Sequence, residues 1–226
     1  MKKIILIFLC ALITCTTIVS GQTNKSRQFS ISKYEKELGI LLNQHRQKIN
    51  DSLKGTVIEP LSLFGNPIYL SDSLLMLKRS PILDSACLYH NLYLMNLSKS
   101  DEPLKRFTIM HEEKEVYKHL RYTGKNKILT NAEDRVALYD KEKNFRSTSE
   151  IISMFNGMYF FFRNERCTEE ILAKQTFQGW LDSPGHRSVI ERRGTILQPF
   201  SHFGVSVQQN GTWICSIIIV ECTKSK

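Results

Sequence analysis

Two strand-like runs near the C-terminus constrain the fold more than any other feature of the sequence. Phe203–Val207 and Trp213–Val220 flank Asn210-Gly211, and an Asn-Gly pair between two such runs is the strongest short-range signal for a β-hairpin. The second run ends in Ile217-Ile218-Ile219-Val220, which does not alternate between apolar and polar residues. A strand of that kind is buried on both faces. The hairpin therefore requires cover on two sides, which restricts the chain to layered architectures.

Helical patterns earlier in the chain can supply that cover. Apolar residues recur on one helical face along Tyr34–Ile49, with Ser32 as the expected N-cap and Glu35 three residues after it. A second helix is predicted from about Pro81, and a third helix follows Thr168. Together with the hairpin, these helices predict an α+β fold, a three-layer α-β-α sandwich around a small central antiparallel sheet.

The N-terminus has the order of a secretory signal. Met1-Lys2-Lys3 is positively charged, Ile4–Ile13 is an unbroken apolar run, and Val19-Ser20-Gly21 offers small residues for cleavage. The apolar run is shorter than the roughly 20 residues that a membrane-spanning helix needs. We therefore interpret residues 1–21 as a signal peptide and expect an exported protein, either periplasmic or secreted, with no transmembrane segment after processing.

The remaining chain has the composition of one globular domain. Apolar residues make up 42% of the sequence, and we predict a flexible arm over residues 22–32 followed by a single domain over residues 33–226. Removal of Lys2 and Lys3 lowers the formal charge from +9 to +7. Because Lys and Arg alternate with Asp and Glu through residues 99–127, the positive charge does not indicate nucleic-acid binding.

The most distinctive local run is Trp180-Leu181-Asp182-Ser183-Pro184-Gly185-His186-Arg187. Ser183 followed by Pro184 fits the N-cap and first position of a short helix. His186 then lies in the first helical turn, where the partial positive charge of the helix N-terminus disfavours imidazolium. A neutral His186 suits metal ligation or hydrogen-bond acceptance.

This run, followed by Phe203-Gly204-Val205, resembles the bacterial branch of one superfamily. It is the superfamily of cysteine-rich secretory proteins, antigen 5 and pathogenesis-related 1 proteins, also called the CAP or SCP-like domain. Further segments resemble its motifs in the same order: Leu41–Arg46, Leu83–His90, His111 and Asn131–Asp134. The resemblance spans roughly residues 34–222. It implies a shared cleft formed by His111, Glu133 and His186.

The sequence departs from the family pattern at two acidic positions. The asparagine that follows the cleft glutamate in the family is Asp134 here, and a second cleft glutamate found in many eukaryotic members is replaced by Ser183. The usual set of two histidines and two glutamates is therefore incomplete.

Two interpretations of the cleft residues follow. In the first, His111, Glu133 and His186 hold a divalent metal such as zinc or magnesium, with open positions that activate water. In the second, which the residues alone favour, these three side chains form a hydrogen-bond network that braces the fold. A rival metal pattern, His111, Glu115 and His119, has the spacing of one helix face.

These interpretations lead to different functions. We expect a ligand-binding domain whose cleft takes a lipid, a peptide or an envelope glycan, and the resemblance supplies no agreed reaction. The alternative is a metal-dependent hydrolase, such as a protease, that uses the same cleft. A third hypothesis is an adhesive module that exposes the aromatic run at 155–162. The sequence gives no oligomeric state.

Cysteines complete the set of candidate sites. After processing, Cys87, Cys167, Cys215 and Cys222 remain, and four cysteines in an exported chain allow three pairings. Cys215 and Cys222 lie too far apart on one extended strand to bond, and Cys87 has the surroundings of a buried thiol. A bridge between Cys167 and Cys222 is the pairing we suggest.

Overall fold

A four-stranded sheet with helices on both faces organises the chain. The computed structural model describes residues 28–53, 61–63, 66–68, 74–98, 111, 129, 131–158, 161, 166–191, 200–211 and 213–223. Its helices are α1 (Ile31–Leu53), α2 (Pro81–Ser98), α3 (Ala132–Tyr139), α4 (Glu169–Asp182) and α5 (Pro184–Glu191). Its strands are β1 (Leu61–Leu63), β2 (Asn66–Ile68), β3 (Lys78–Arg79), β4 (Phe145–Phe155), β5 (His202–Asn210) and β6 (Trp213–Thr223). The predicted signal peptide lies outside the described residues.

The sheet has the order β3-β5-β6-β4. The hairpin predicted from Asn210-Gly211 is confirmed: β5 and β6 pair antiparallel up to Asn210 and Trp213, and Gly211 turns with a φ of 57°. β4 pairs antiparallel with β6, whereas the two residues of β3 run parallel to β5. The sheet is therefore mixed at its β3 edge. A strand of two residues leaves no periodic pattern in the sequence, so this feature could not be predicted.

Alternation along β6 creates two separate apolar cores. Ile214, Ile218 and Val220 pack with α1 and α4 on one face, while Ile217 and Ile219 pack with α2 and α3 on the other. All five side chains are buried. The α+β class and the three-layer arrangement predicted from the sequence are confirmed.

Close backbone contact brings α2 onto the sheet. A Cβ at Gly204 would lie 2.2 Å from the carbonyl carbon of Leu83, so only glycine allows this approach. Further toward the C-terminal end of α2, the Asn91 side-chain amide donates to the carbonyl oxygens of Ser206 at 3.0 Å and Cys215 at 3.1 Å. The amide therefore anchors α2 to both strands of the hairpin.

Helix side chains cap the part of β5 that β3 is too short to cover. The Val205 N–H donates to Asp84 Oδ1 at 2.9 Å, and the Val207 N–H donates to Glu35 Oε1 at 3.0 Å. Arg79 joins the two carboxylates, with its Nε 2.9 Å from Asp84 Oδ2 and its Nη2 3.1 Å from Glu35 Oε2. The two carboxylates thus accept hydrogen bonds from backbone N–H groups of β5 that would otherwise pair with a neighbouring strand.

The start of α1 differs from the expected arm. Ser30, not Ser32, is the N-cap, because its hydroxyl accepts from the Lys33 N–H at 3.3 Å. Phe29 packs against Tyr34, with ring centroids 5.6 Å apart. The Ser30 N–H donates to Glu169 Oε1 at 3.0 Å. The described part of the predicted flexible arm, residues 28–32, is therefore packed on the domain; residues 22–27 lie outside the description.

The suggested bridge between Cys167 and Cys222 is not formed, and all four cysteines among the described residues are buried thiols. Cys167 precedes α4 at the end of the molecule where α1 begins. Ser216 lies near Tyr34 at that same end, but Cys222 is six residues further along β6, about 20 Å away in an extended strand. Disulfides need Cα atoms within about 7 Å, so the strand direction separates the two sulfurs.

No helix among the described residues is long and apolar enough to cross a membrane.

Candidate functional site

A buried ion pair between α3 and β4 forms the base of the candidate site. Asn131 caps α3, since its side chain accepts from the Asp134 N–H at 2.9 Å, and this places Arg135 in the first helical turns, facing the sheet. Glu150 extends from β4 toward the same layer. Arg135 Nη2 donates to Glu150 Oε1 at 2.6 Å, and both side chains are almost fully buried, with 0% and 4% exposure.

This pair holds His111 at the surface. His111 Nδ1 lies 3.0 Å from Glu150 Oε2, and Arg135 Nη1 donates to the His111 carbonyl oxygen at 3.0 Å. The His111 side chain is 50% exposed. Because its Nδ1 faces a carboxylate, Nδ1 is the ring nitrogen that carries a proton, and Nε2 is left for solvent or a ligand.

The charges around Glu150 keep its carboxylate ionised. Burial alone raises the pKa of Glu150, but the nearby charges of His90 and Arg135 and the hydrogen bond from His111 outweigh burial and lower it to about 2. A buried carboxylate with such partners is charged throughout the physiological range. His90 is itself buried and stacks on Tyr93 with ring centroids 5.8 Å apart. The expectation that His90 is a core residue is confirmed.

His186 is the second histidine at the site. Ser183 and Pro184 begin α5 as predicted, with the Arg187 N–H donating to the Ser183 carbonyl at 2.8 Å. His186 therefore lies in the first turn of the helix. Partial burial lowers the pKa of His186, and the charge of His111 lowers it further. The charge of His111 thus acts on His186, and the neutral His186 expected from its helical position agrees with the direction of the shift.

The carboxylate that the structure brings into contact with His111 is that of Glu150 and not that of Glu133. Glu133 is exposed in the first turn of α3, and its charge acts on Glu221. Within the described part of the chain, no group of three or more His, Cys, Asp or Glu side chains is arranged to hold a metal ion. The set of His111, Glu133 and His186 therefore does not fit a metal as it stands. Glu115 and His119 of the rival pattern lie outside the described residues.

Sequence reasoning missed Glu150 and Arg135. Glu150 is an isolated charge at the head of the apolar run that begins at Ser149, and a lone charge in an apolar strand is the signal that could have identified it. Its partners are 15 and 39 residues away in the chain. No local pattern links residues at such separations.

A groove runs from His186 along β4. Its volume is about 390 Å³, and it is lined by Ile152, Ser153, Met154, Phe155, Gln175, Thr176, Gly179, Trp180, Ser183 and His186. None of these side chains is a carboxylate, lysine or arginine. A larger groove of about 580 Å³ lies at the opposite edge of the sheet, between α1 and β3, and contains no histidine. Of these two grooves, the smaller one contains a candidate histidine, His186.

The aromatic run at 155–162 does not form an exposed patch in its described part. Phe161 is fully buried and Phe155 packs partly against the core. The rings of Tyr159, Phe160 and Phe162 lie outside the described residues. The two rings that are described support packing rather than adhesion.

A second buried carboxylate, that of Glu221, lies on β6. Its Oε1 accepts from the Thr148 hydroxyl, next to an irregularity in the β4–β6 register. Its Oε2 is buried with no hydrogen-bond partner among the described residues. Burial, together with the charges of Glu133 and Asp140, raises the pKa of Glu221 to about 7.

Comparisons with known proteins identify the architecture and no more. No protein-family model matches the chain, and no curated protein does. The solved structure of an outer surface protein from Borrelia burgdorferi is similar, with a TM-score of 0.51 and 14% sequence identity over 88% of this chain and 99% of that one. At this identity, the similarity shows a shared fold.

Proposed function

We propose that this chain is an exported, CAP-like ligand-binding protein whose binding cleft lies at His111 and His186. One observation supports this function above all. A buried ion pair, Arg135 with Glu150, fixes the orientation of a half-exposed histidine, and the charge of that histidine acts on His186, which lines a groove. Concave sites with a few oriented polar groups on a rigid scaffold are typical of ligand binding.

A purely structural network is the weaker explanation for His111. A bracing side chain is enclosed by its partners, whereas half of the His111 surface is open to solvent. The ion pair between Arg135 and Glu150 stabilises the fold. It does not need the His111 ring, because Arg135 already neutralises the Glu150 carboxylate. Half of the His111 side-chain surface is therefore available to a molecule outside the chain.

The metal-dependent hydrolase proposed as the alternative has less support. A catalytic zinc takes three protein ligands, and His111 and His186 supply two. Glu150 is bound to Arg135 and His111, and a carboxyl group with a pKa of about 2 is a weak general base at neutral pH. The residues that the structure describes do not complete a metal site, and binding without a reaction is the function that the chemistry of the site favours.

A binding panel tests the proposal. The chain without residues 1–21 is presented with anionic phospholipid vesicles, with peptidoglycan fragments and with a library of linear octapeptides. We expect one of these classes to bind, and we expect the double variant His111→Gln/His186→Gln to weaken that binding at least tenfold, or by about 1.4 kcal/mol.

The matched control is His202→Gln, because His202 is a partly exposed histidine outside the cleft. It should bind as the unmodified chain does. If no class binds, or if the double variant binds as well as the control, the cleft is not a binding site and the proposed function is wrong.

A further inference from the structure

Glu221 is a buried carboxyl group that has only part of its hydrogen bonding satisfied. Its side chain is fully buried. Its Oε1 accepts from the Thr148 hydroxyl, whereas its Oε2 has no partner among the described residues. Thr148 lies where the β4–β6 register shifts, and irregularities of this kind redirect individual side chains. An ionised Glu221 would lack the hydrogen bonds that a buried charge requires.

The groups of α3 that act on Glu221 are acidic. Side chains along a strand alternate between the two faces, so Glu221 shares its face with Ile217 and Ile219, which pack with α2 and α3. Glu133, in the first turn of α3, and Asp140, at its C-cap, both act on Glu221 through their charges. Asp140 is itself buried, and its Oδ1 has no partner among the described residues. The charges on α3 therefore repel an ionised Glu221.

No cation in the described part of the chain offsets this repulsion. The side chains that act on Glu221 are one hydroxyl and the two carboxylates of α3. On β5, the residue paired with Glu221 is His202. Partial burial and the charge of Lys78 lower the pKa of His202, so its ring is uncharged at neutral pH. Glu221 thus keeps its proton up to about pH 7 and becomes an uncompensated negative charge above that pH.

α3 is the element that responds to this charge. It is eight residues long, and a helix of that length is not stable alone in water. It is held by the apolar side chain of Val136, which is buried in the core shared with α2, and by the pair of Arg135 with Glu150. Short elements with few buried contacts open locally at the lowest free energy. A repulsive charge beneath α3 shifts that local equilibrium toward the open form.

The same helix holds His111 in place. Arg135 donates to the His111 carbonyl oxygen and to Glu150 Oε1, and Glu150 Oε2 contacts the His111 ring. Glu150 follows Thr148 by two residues on β4. Glu221 is therefore connected to the His111 contacts twice, once through the charges of α3 and once through Thr148 of β4. Movement of α3 would remove the guanidinium that fixes His111.

We propose that Glu221 is a proton-operated switch for the His111 site, which keeps α3 seated on the sheet when protonated and displaces α3, releasing His111, when ionised. This inference rests on the proposed function and specifies how its site is regulated. Because the pKa of Glu221 is raised from 4.5 to about 7, the seated form binds the proton more tightly than an open form does. The site is therefore formed below about pH 7 and lost as the pH rises further.

Hydrogen exchange of the backbone N–H groups of α3 tests the switch without any ligand. Protection factors, corrected for intrinsic exchange rates, are compared at pH 5.5 and pH 8 in the unmodified chain and in Glu221→Gln, whose amide cannot ionise. We expect protection of α3 to fall at least tenfold in the unmodified chain and to change less than twofold in Glu221→Gln. Glu142→Gln, at an exposed position, is the matched control and should behave as the unmodified chain does.

α4 shows whether the opening is local. This helix packs on the opposite face of the sheet from α3, so its N–H groups should stay at least tenfold better protected than those of α3 at pH 8. Equal protection of the two helices at pH 8 would mean that the whole chain opens together, and it would overturn the switch.

Chemical modification of His111 tests whether the switch reaches the site. Diethyl pyrocarbonate acylates uncharged imidazole rings, and mass spectrometry of peptides gives the rate at each histidine. At pH 8, His111 should react at least threefold faster in the unmodified chain than in Glu221→Gln, because an open α3 no longer holds it. At pH 5.5 the two rates should be equal. His45, which contacts Glu191 at 2.9 Å between α1 and α5, should react equally in both proteins at both pH values.

The outcomes separate the switch from the proposed function. Unchanged protection of α3 between the two pH values, the same loss in Glu221→Gln, or equal His111 rates at pH 8 would overturn the switch. If the switch operates but the vesicles, peptidoglycan fragments and octapeptides all fail to bind at pH 5.5, the proposed function is wrong and the switch stands. If one of these classes binds equally well at pH 5.5 and pH 8, the switch is overturned and the proposed function stands.

Discussion

Arg135 of α3 and Glu150 of β4 are joined at 2.6 Å across the interface between a helix and the sheet, and almost none of either side chain reaches solvent. This ion pair connects a helix only eight residues long to the edge strand. The same guanidinium also donates to the His111 carbonyl oxygen. Fold stability and the position of the exposed histidine therefore depend on one buried charge pair.

Arg135→Met should reduce the free energy of unfolding by about 3–5 kcal/mol, because it leaves the Glu150 carboxylate buried without its main partner. Urea denaturation monitored by circular dichroism measures the change. The double variant Arg135→Met/Glu150→Leu removes both charges and should recover most of the loss. A double variant that is less stable than Arg135→Met would contradict this account of the pair.

Glu221→Gln should stabilise the protein above neutral pH and have little effect near pH 4. The pKa of Glu221 is raised from 4.5 to about 7 in the folded chain, so the folded state binds this proton more tightly than the unfolded state. Stability is therefore lost as the pH rises from about 4.5 to 7, by up to about 3 kcal/mol. The amide cannot ionise and should remove that loss.

Urea unfolding of Glu221→Gln and the unmodified chain at pH 4, 5.5, 7 and 8 checks the prediction through the difference between the two curves. Glu142→Gln, at an exposed position, serves as the control and should show no such difference. A constant difference across the pH range would mean that the Glu221 carboxyl group is not titrating in that window.

Gly204→Ala should destabilise the fold by about 3 kcal/mol or more, because its methyl group would overlap the backbone of Leu83 and lift α2 from the sheet. Gly179→Ala is the matched substitution with open space around it. It should gain up to about 1 kcal/mol from helix propensity. Thermal unfolding compares the two, and equal losses would contradict the close approach at Gly204.

Zinc should bind weakly at the cleft, because His111 and His186 provide two of the three protein ligands that a zinc site normally uses. Titration calorimetry at neutral pH measures the affinity, with His202→Ala as the control. A dissociation constant below about 1 μM, or −8.2 kcal/mol, that is lost in His186→Ala would instead favour the metal-dependent hydrolase.

Most of the fold could be predicted because its signals are local. The hairpin follows from Asn210-Gly211 and the apolar run that precedes Glu221, and the position of His186 follows from Ser183-Pro184. β3 could not be predicted, since two residues carry no periodicity and its place depends on backbone bonds from Lys78 to Ser201 and from Ser80 to Phe203.

Two residues of the candidate site, His111 and His186, could be predicted from the sequence, but its buried ion pair could not. The two histidines were identified from motifs, but Glu150, the carboxylate that contacts His111, was not. Glu150 lies within an apolar run, and only the pairing of β4 with β6 brings it beneath His111. Non-local strand pairing determines which acidic side chain is buried, and a single sequence does not reveal it.

The carboxylates of Glu35 and Asp84, which accept hydrogen bonds from β5, limit how copies of this protein can associate through the edges of their sheets. A fibre of sheets needs two complementary edges on each molecule, so that each copy joins the next head to tail. Here, a strand could reach β5 only by displacing both carboxylates and leaving Arg79 without its counter-charges. The β5 edge is therefore blocked as a junction in a head-to-tail fibre.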